Sequence, residues 1–285
     1  MSLPSIRRTA VAGSWYPSAP DALAREVDRY LAAAGEMPTG DAVAVIAPHA
    51  GLMYSGPIAA HAYRLVAGRP FDVAVLVGPS HFVGFEGVAI YDKGVFDTPL
   101  GQIPIAEPCA SAIALASAVI QEHPVAHVRE HSLEMQLPFL KRVLPQTPIV
   151  PLVMGYQTRD TVYALAAALA TALAGRRVLL VASTDLSHYR DAKTAARLDG
   201  KVIERVRAFD PEGLLAALEA FPEHACGGGP MVSVMLAARA LGAREARVLK
   251  YGDSGDVSGD KDAVVGYLAA ALGRFSKGQP STGSG

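Results

Sequence analysis

The sequence lacks the features that mark several common protein classes. Its 285 residues include only two cysteines, Cys109 and Cys226, so it has no disulfide framework. No apolar run reaches the roughly 20 residues of a membrane span, and the N-terminus lacks the apolar stretch of a secretory signal. These absences predict a cytoplasmic protein with no membrane partner. They also predict that a cysteine with a functional role acts through thiol chemistry and not as part of a structural disulfide.

The chain also lacks an excess of charge of either sign. It has 26 basic and 27 acidic residues, which gives a formal net charge of -1. Nucleic acids and anionic membrane surfaces attract proteins that carry a strong positive field. The charge balance therefore predicts no nucleic-acid partner.

Apolar residues, by contrast, are plentiful and follow a regular order. They make up 51% of the chain, and strand-like runs alternate with helix-like runs. This alternation predicts an α/β fold with three layers, α/β/α, around a mixed, largely parallel sheet. No linker divides the chain, so residues 1–275 are predicted to form a single domain, and the Ser/Gly-rich residues 276–285 are predicted to be a disordered tail.

Apolar periodicity and turn residues also place several elements along the chain. Buried strands are predicted at Val43–Ala47, Val73–Val77 and Val178–Ala182, and closing strands at Ala246–Tyr251 and Ala263–Leu272. Helices are predicted to open at Pro57, to run from about Glu107 to Gln121, and to start near Ser132.

Polar residues follow three of these strands where each strand ends. His49 follows the first, His81 the second, and Asp185 with His188 the third. Open α/β sheets bind ligands at the carboxyl ends of their strands. A single histidine at a strand end is often bonded only to a loop carbonyl, but two at equivalent strand ends, joined by Asp185 and His188, predict a functional site.

A cysteine lies beside flexible backbone in the segment Cys226-Gly227-Gly228-Gly229, which precedes a predicted helix. Glycines let the backbone approach a ligand closely, and a helix start favours a thiolate or an anion. The alternative is an inert buried thiol. Cys109, in an alanine-rich helical pattern, is predicted to pack in the core.

Residues of two further segments are candidates for the wall of a pocket. His131 and Glu134 are three positions apart and would share a helix face. The alternative is a capped helix start, with Ser132 as the cap. Trp15 either lines the same pocket or packs as an ordinary aromatic residue. Tyr54 is a further candidate for this pocket because it follows shortly after His49.

Six short motifs, in this order along the chain, resemble the Memo family. They are Ala12-Gly13-Ser14-Trp15-Tyr16, Ala47-Pro48-His49-Ala50-Gly51, Gly78-Pro79-Ser80-His81, Glu130-His131-Ser132-Leu133-Glu134-Met135, Ser183-Thr184-Asp185-Leu186-Ser187-His188 and Cys226-Gly227. The resemblance covers residues from about Arg7 to Leu272. Each motif is weak alone, and the six in order are specific.

The resemblance implies a fold like that of the LigB-like class III extradiol dioxygenases, which hold nonhaem Fe(II) with two histidines and one glutamate. In Memo-like proteins the matching pocket contains two histidines and a cysteine, here His49, His81 and Cys226. Asp185 and His188 match further pocket residues. A thiolate in place of the carboxylate softens the donor set, so Cu or Zn suits it as well as the favoured Fe(II).

Two functions follow from this resemblance. In the first, a metal-dependent oxidoreductase acts on a small phenolic substrate or a peptide side chain, and His188, oriented by Asp185, moves a proton. In the second, the same pocket binds a phosphotyrosine-type peptide without turnover, with Gly227–Gly229 accepting the anion. The resemblance also implies partners, a radical S-adenosylmethionine protein and an AMMECR1-type domain. The chain itself lacks the cysteine spacing of a radical enzyme.

Overall fold

The computed structural model describes residues 6–276. The predicted tail at 276–285 therefore lies outside the described residues, apart from Ser276. The strands are β1 Ile6–Arg7, β2 Gly40–Ala47, β3 Val73–Pro79, β4 Val88–Ile90, β5 Val95–Phe96, β6 Ile103–Pro104, β7 Ile120–Glu122, β8 Ile149–Met154, β9 Val178–Ser183, β10 His188–Arg190, β11 Glu245–Asp253 and β12 Val264–Phe275. The helices are α1 Pro20–Ala33, α2 Leu52–Val66, α3 Glu107–Leu115, α4 Pro124–Val128, α5 Leu137–Val143, α6 Arg159–Ala172, α7 Ala192–Arg207, α8 Pro211–Ala220, α9 Gly228–Ala240 and α10 Gly255–Ser258.

One large mixed sheet organises the fold. Its strand order is β10-β12-β2-β9-β3-β8-β4-β7, and β11 also pairs with β12. The central strands β2, β9, β3 and β8 are parallel to one another, whereas β12 and β4 join them in antiparallel pairs. The carboxyl ends of the four central strands consequently meet at one edge.

Helices cover the faces of this sheet. Every residue of β3, β8 and β9 is buried, which requires apolar cover on both faces. Helix α2 packs on β2 and β12, and α9 packs on β2, β3 and β9. The predicted α/β layering around a mixed sheet is confirmed, while the single domain over 1–275 stays a prediction. None of the helices within residues 6–276 is long and apolar enough to cross a bilayer.

Several predicted boundaries were wrong, each for a local reason. Helix α2 does not open at Pro57, because the backbone N–H of Leu52 already bonds to the Trp15 carbonyl and sets the start five residues earlier. The helix predicted to reach Gln121 ends at Leu115, and the residues beyond it pair with β4 as β7.

The helix predicted near Ser132 is also different. A 3₁₀ turn at Glu134–Gln136 leads into α5, which begins at Leu137. His131 lies before that turn, so it does not share a helix face with Glu134. The predicted strands at the C-terminal end are present as β11 and β12, and β12 runs on to Phe275.

A buried carboxylate attaches the N-terminal segment to the sheet edge. Glu134 is fully buried and accepts hydrogen bonds from the Arg7 guanidinium, the Tyr16 hydroxyl at 2.6 Å and the backbone N–H groups of Ala10 and Val11 at 2.7 and 3.0 Å. We call these five residues the N-terminal latch. It holds the segment that carries Trp15.

Beside the latch, His127 is buried in its neutral form. Its Nε2 bonds to the Ala89 carbonyl at 3.2 Å, and its Nδ1 has no hydrogen-bond partner among residues 6–276. Burial, aided by the nearby Arg7 guanidinium, lowers the pKa of His127 to about 3. The unfolded chain binds this proton near pH 6.5, whereas the folded protein does not. Stability is therefore lost as the pH falls below 6.5.

We expect His127→Gln to reduce this acid sensitivity. Between pH 7 and pH 5 the unfolding free energy should fall by about 2 kcal/mol more in the wild type than in the variant, because glutamine keeps the donor to Ala89 but binds no proton. Urea denaturation at both pH values measures the difference. Equal losses of unfolding free energy in the two proteins would contradict the conclusion that His127 is buried in its neutral form.

Candidate metal centre

Three parallel strands deliver three polar residues to one edge of the sheet. His49 lies two residues beyond β2, Asp185 two beyond β9 and His81 two beyond β3. Strand β9 pairs with both β2 and β3, so it separates the two histidine strands. The two histidine-bearing strands are thus not direct neighbours, and the backbone of Asp185 stands between them.

Cys226 reaches the same place from the start of α9. Its backbone N–H bonds to the Asp185 carbonyl at 3.2 Å, and the Asp185 N–H points at the Cys226 sulfur at 3.3 Å. Gly227 makes this approach feasible, because a Cβ there would lie 2.4 Å from the Ser183 carbonyl oxygen. The chain therefore needs glycine after the cysteine to bring the thiol against β9.

The three side chains converge in the way a metal site requires. One donor atom from each of His49, His81 and Cys226 lies within 4.8 Å of the others, and the Cys226 sulfur is 3.2 Å from Nε2 of His49. The two imidazole rings meet edge to face with centroids 5.2 Å apart. Two imidazoles and a thiol are a donor set that Fe, Cu and Zn all use, so the residues present fit a bound metal ion.

Glu130 orients His81. It lies in one of the six sequence motifs but was not predicted to be a site residue. Its buried carboxylate lies 2.8 Å from Nδ1 of His81 and accepts the backbone N–H groups of His81 and Ser132 at 2.7 and 2.9 Å. Carboxylates hold metal-binding histidines in this way, leaving Nε2 for the metal. Although burial opposes ionisation, the bonds from His81 lower the pKa of Glu130 to about 2.

Burial disfavours charge on the candidate ligands and on Asp185. Burial lowers the pKa of His49 well below its ordinary value, and the nearby His81 lowers it further. Burial raises the pKa of the Cys226 thiol, and the Asp185 carboxylate raises it further. Burial also raises the pKa of Asp185 to about 6, against the hydrogen bond from the His49 backbone. The centre is therefore a desolvated pocket suited to neutral imidazoles.

Aromatic side chains pack beside the imidazole rings of His49 and His81. His131 stacks on His81 with centroids 4.4 Å apart, and Trp15 packs on His131 at 4.3 Å. Phe82 meets His131 edge to face and is 49% exposed. Burial, with His81 and His49 adding to it, lowers the pKa of His131 to about 3, so this wall is neutral.

The structure separates some of the predicted site residues from this cluster. Glu134 points into the N-terminal latch and bonds to Arg7 rather than lining the wall beside His131. Asp185 was predicted to orient His188, but the hydrogen bonds recorded for the described residues go elsewhere: Asp185 accepts the His49 N–H at 2.7 Å, and Nδ1 of His188 bonds to the Leu186 carbonyl at 2.8 Å. Tyr54 is half-buried in α2 and packs on the core.

The helix start beside Cys226 does not offer the anion site that its glycines suggested. Gly227 donates its N–H to the Thr184 hydroxyl at 3.0 Å, Gly228 to the Ala225 carbonyl at 3.3 Å and Gly229 to the Gln157 side chain at 2.6 Å. Because all three donors already have partners in the chain, none is free for a phosphate.

A cavity of about 400 Å³ adjoins Cys226. Its walls include Tyr156, Leu215, Leu218, Pro222 and Ala225. Among the described residues that line it, Glu219 is the charged one, and it is paired with the Arg159 guanidinium. The cavity is therefore suited to a neutral group that has both polar and apolar surface.

Sequence comparison finds relatives that match most of the chain. A family model described as Memo-like protein matches residues 7–271. A MEMO1 family protein of Methanothermobacter thermautotrophicus is 38% identical over 272 residues, covering 92% of this chain and 98% of the relative. One from Methanopyrus kandleri is 37% identical over 281 residues, covering 94% and 99%.

Comparison with solved structures shows the fold. The crystal structure of an uncharacterized protein from Escherichia coli K12 has a TM-score of 0.52 to this chain at 15% sequence identity. It covers 84% of this chain, and the whole of that chain is matched. At this identity the likeness extends to the α/β architecture and not to the chemistry of the centre.

Proposed function

This chain belongs to the Memo family, and we propose that it is a metal-dependent oxidoreductase that uses Fe(II) or Cu on His49, His81 and Cys226. The observation that carries the proposal is the convergence of their three donor atoms within 4.8 Å. Zn suits the same donors but brings no redox chemistry of its own.

The number of protein donors favours catalysis over a purely structural role. Structural metal sites in proteins are closed by four protein ligands, whereas catalytic sites keep a position for water or substrate. Within the described residues, the group of His49, His81 and Cys226 offers three, and a second group of His81, Glu130 and His131 shares His81 with it. Glu130 orients His81, which is the support that metal-binding histidines have in such sites.

When bound, the metal would supply redox chemistry to an oxidisable substrate, and the chain's own residues would bind and orient that substrate. The aromatic rings of Trp15, His131 and Phe82, which are tilted or edge to face with one another, favour contact with an aromatic ring of a substrate. The neutral cavity beside Cys226 favours an uncharged one. A small phenol or catechol satisfies both, whereas a phosphotyrosine-type peptide supplies the aromatic ring but adds a charged phosphate that the cavity does not favour.

His188 is the proton acceptor in this proposal. Its Nδ1 donates to the Leu186 carbonyl, so in the neutral ring Nε2 carries the lone pair. A neutral imidazole whose Nε2 lone pair is available can accept a proton from a substrate hydroxyl. Asp185 contributes by holding the backbone of His49 instead of orienting His188.

Oxygen consumption tests the proposal. Protein loaded anaerobically with Fe(II), or separately with Cu, should consume oxygen with at least one member of a catechol panel, and His49→Ala should abolish that consumption because it removes a ligand. His61→Ala is the matched control, since His61 lies in α2, bonds to the Pro57 carbonyl and belongs to no donor group among the described residues. Identical traces for wild type and His49→Ala with every substrate and either metal would overturn the proposal.

A further inference from the structure

A chain of buried polar side chains continues from Nδ1 of His49 into the core. Ser183, Gln136 and Tyr63 are each fully buried. The Ser183 hydroxyl oxygen lies 2.9 Å from Nδ1 of His49 and 2.8 Å from Nε2 of Gln136. The Tyr63 hydroxyl lies 2.7 Å from Oε1 of Gln136. Burying a polar group costs free energy unless the group is hydrogen-bonded. Each of these groups should therefore have a partner, and the donor and the acceptor of each hydrogen bond can be assigned.

The direction of the Gln136 amide follows from a backbone carbonyl. Nε2 of Gln136 lies 3.0 Å from the Pro48 carbonyl oxygen, and a carbonyl can only accept. The amide nitrogen must therefore face Pro48, and its second N–H faces Ser183. The oxygen is left to accept the Tyr63 hydroxyl, whose raised pKa from burial keeps it a donor.

A second carbonyl fixes the Ser183 hydroxyl. Its oxygen lies 2.6 Å from the Ser132 carbonyl, which again can only accept, so the single hydroxyl proton of Ser183 goes to Ser132. A hydroxyl has one proton to donate and two lone pairs. Gln136 fills one lone pair. The remaining contact, with His49, must place the proton on Nδ1 of the imidazole.

We propose that Ser183 is a positioning residue that fixes His49 as the Nδ1–H tautomer and so turns the lone pair of Nε2 toward Cys226. Nε2 is the atom 3.2 Å from the Cys226 sulfur. Gln136 and Tyr63 support Ser183 from behind. The value of this arrangement for metal binding rests on the proposed function, whereas the tautomer is a property of the metal-free protein.

Nitrogen-15 NMR of the metal-free protein at pH 8, where imidazoles are neutral, measures the tautomer directly. The wild type should show His49 protonated at Nδ1 alone. Ser183→Ala should move a measurable fraction of His49 to the Nε2–H form, and Ser183→Thr, which keeps the hydroxyl, should restore the wild-type pattern. An Nε2–H tautomer in the wild type would overturn the proposal without any variant having to fold.

Zinc titration then tests the consequence for metal binding. Removing an outer hydrogen-bond partner of a ligand typically costs about 10–100-fold in affinity, and we expect a loss in this range for Ser183→Ala. Ser233→Ala is the matched control, because Ser233 is equally buried and bonds only to the Val162 carbonyl at 3.0 Å. Equal affinities of Ser183→Ala and wild type would refute the positioning role. A wild type that binds none of zinc, Fe(II) and Cu in the same titration would refute the proposed function while leaving the NMR result intact.

Discussion

Cys226→Ser is expected to weaken Co(II) and Zn binding by more than about 100-fold, because loss of a ligand should exceed the 10–100-fold cost of losing an outer-shell partner. Serine is nearly isosteric and can still receive the Asp185 N–H, so the fold should survive. Only the soft thiolate donor disappears, and a hydroxyl is a poor ligand for these ions at neutral pH. Competition with a chromophoric chelator measures the affinity.

The second cysteine supplies the control for this experiment. Cys109 is buried in α3, and Cys109→Ser removes a thiol that belongs to no donor cluster among residues 6–276. We expect its metal affinity to equal that of the wild type, and the cobalt–thiolate absorption band to vanish only in Cys226→Ser. Retention of that band in Cys226→Ser would exclude the thiol as a ligand.

Glu134→Gln is expected to remove about 3–5 kcal/mol from the unfolding free energy, the usual cost of leaving one partner of a buried ion pair without the other. Arg7 is 3% exposed and has Glu134 as its carboxylate partner. A glutamine cannot neutralise that guanidinium, and its amide group places N–H donors against the N–H groups of Ala10 or Val11. Urea denaturation at pH 7 measures the loss.

An exposed ion pair provides the matched comparison for this substitution. Glu219 pairs with Arg159 through two hydrogen bonds, but both side chains are about half exposed. Glu219→Gln should cost no more than about 1 kcal/mol, since solvent screens such pairs. If the two substitutions cost the same, the N-terminal latch would not be the stabilising feature that its burial indicates.

Local sequence pattern was enough to place the two histidines and Asp185. Each follows an uninterrupted apolar run, and such runs form the buried parallel strands whose ends meet at one edge. The pattern could not reveal that β9 lies between β2 and β3, because strand order depends on which helices pack on which face. The glycines after Cys226 made it a candidate for a functional thiol, with an inert buried thiol as the alternative, and the family resemblance identified it as a candidate metal ligand.

The residues that support the ligands were harder to predict. Glu130 and Glu134 stand four positions apart in one polar cluster, yet one orients His81 and the other holds Arg7. Arg7 is 127 positions away from Glu134, so no local periodicity connects them. Ser183 looks like the last residue of a strand, and its role depends on the Ser132 carbonyl of a distant loop.

The position of β9 also constrains the order in which the chain can fold. Strands β2 and β3 come close together in the sequence, but neither pairs with the other in the finished sheet, and the gap between them is filled by residues 178–183. The first half of the chain must therefore hold these strands apart, or separate them again, until β9 has been synthesised and inserted. Such long-range parallel pairing is slow. His49 and Cys226 are 177 positions apart, and Cys226 is held against Asp185 just beyond β9, so the three donors come together in the folded arrangement only once β9 lies between β2 and β3.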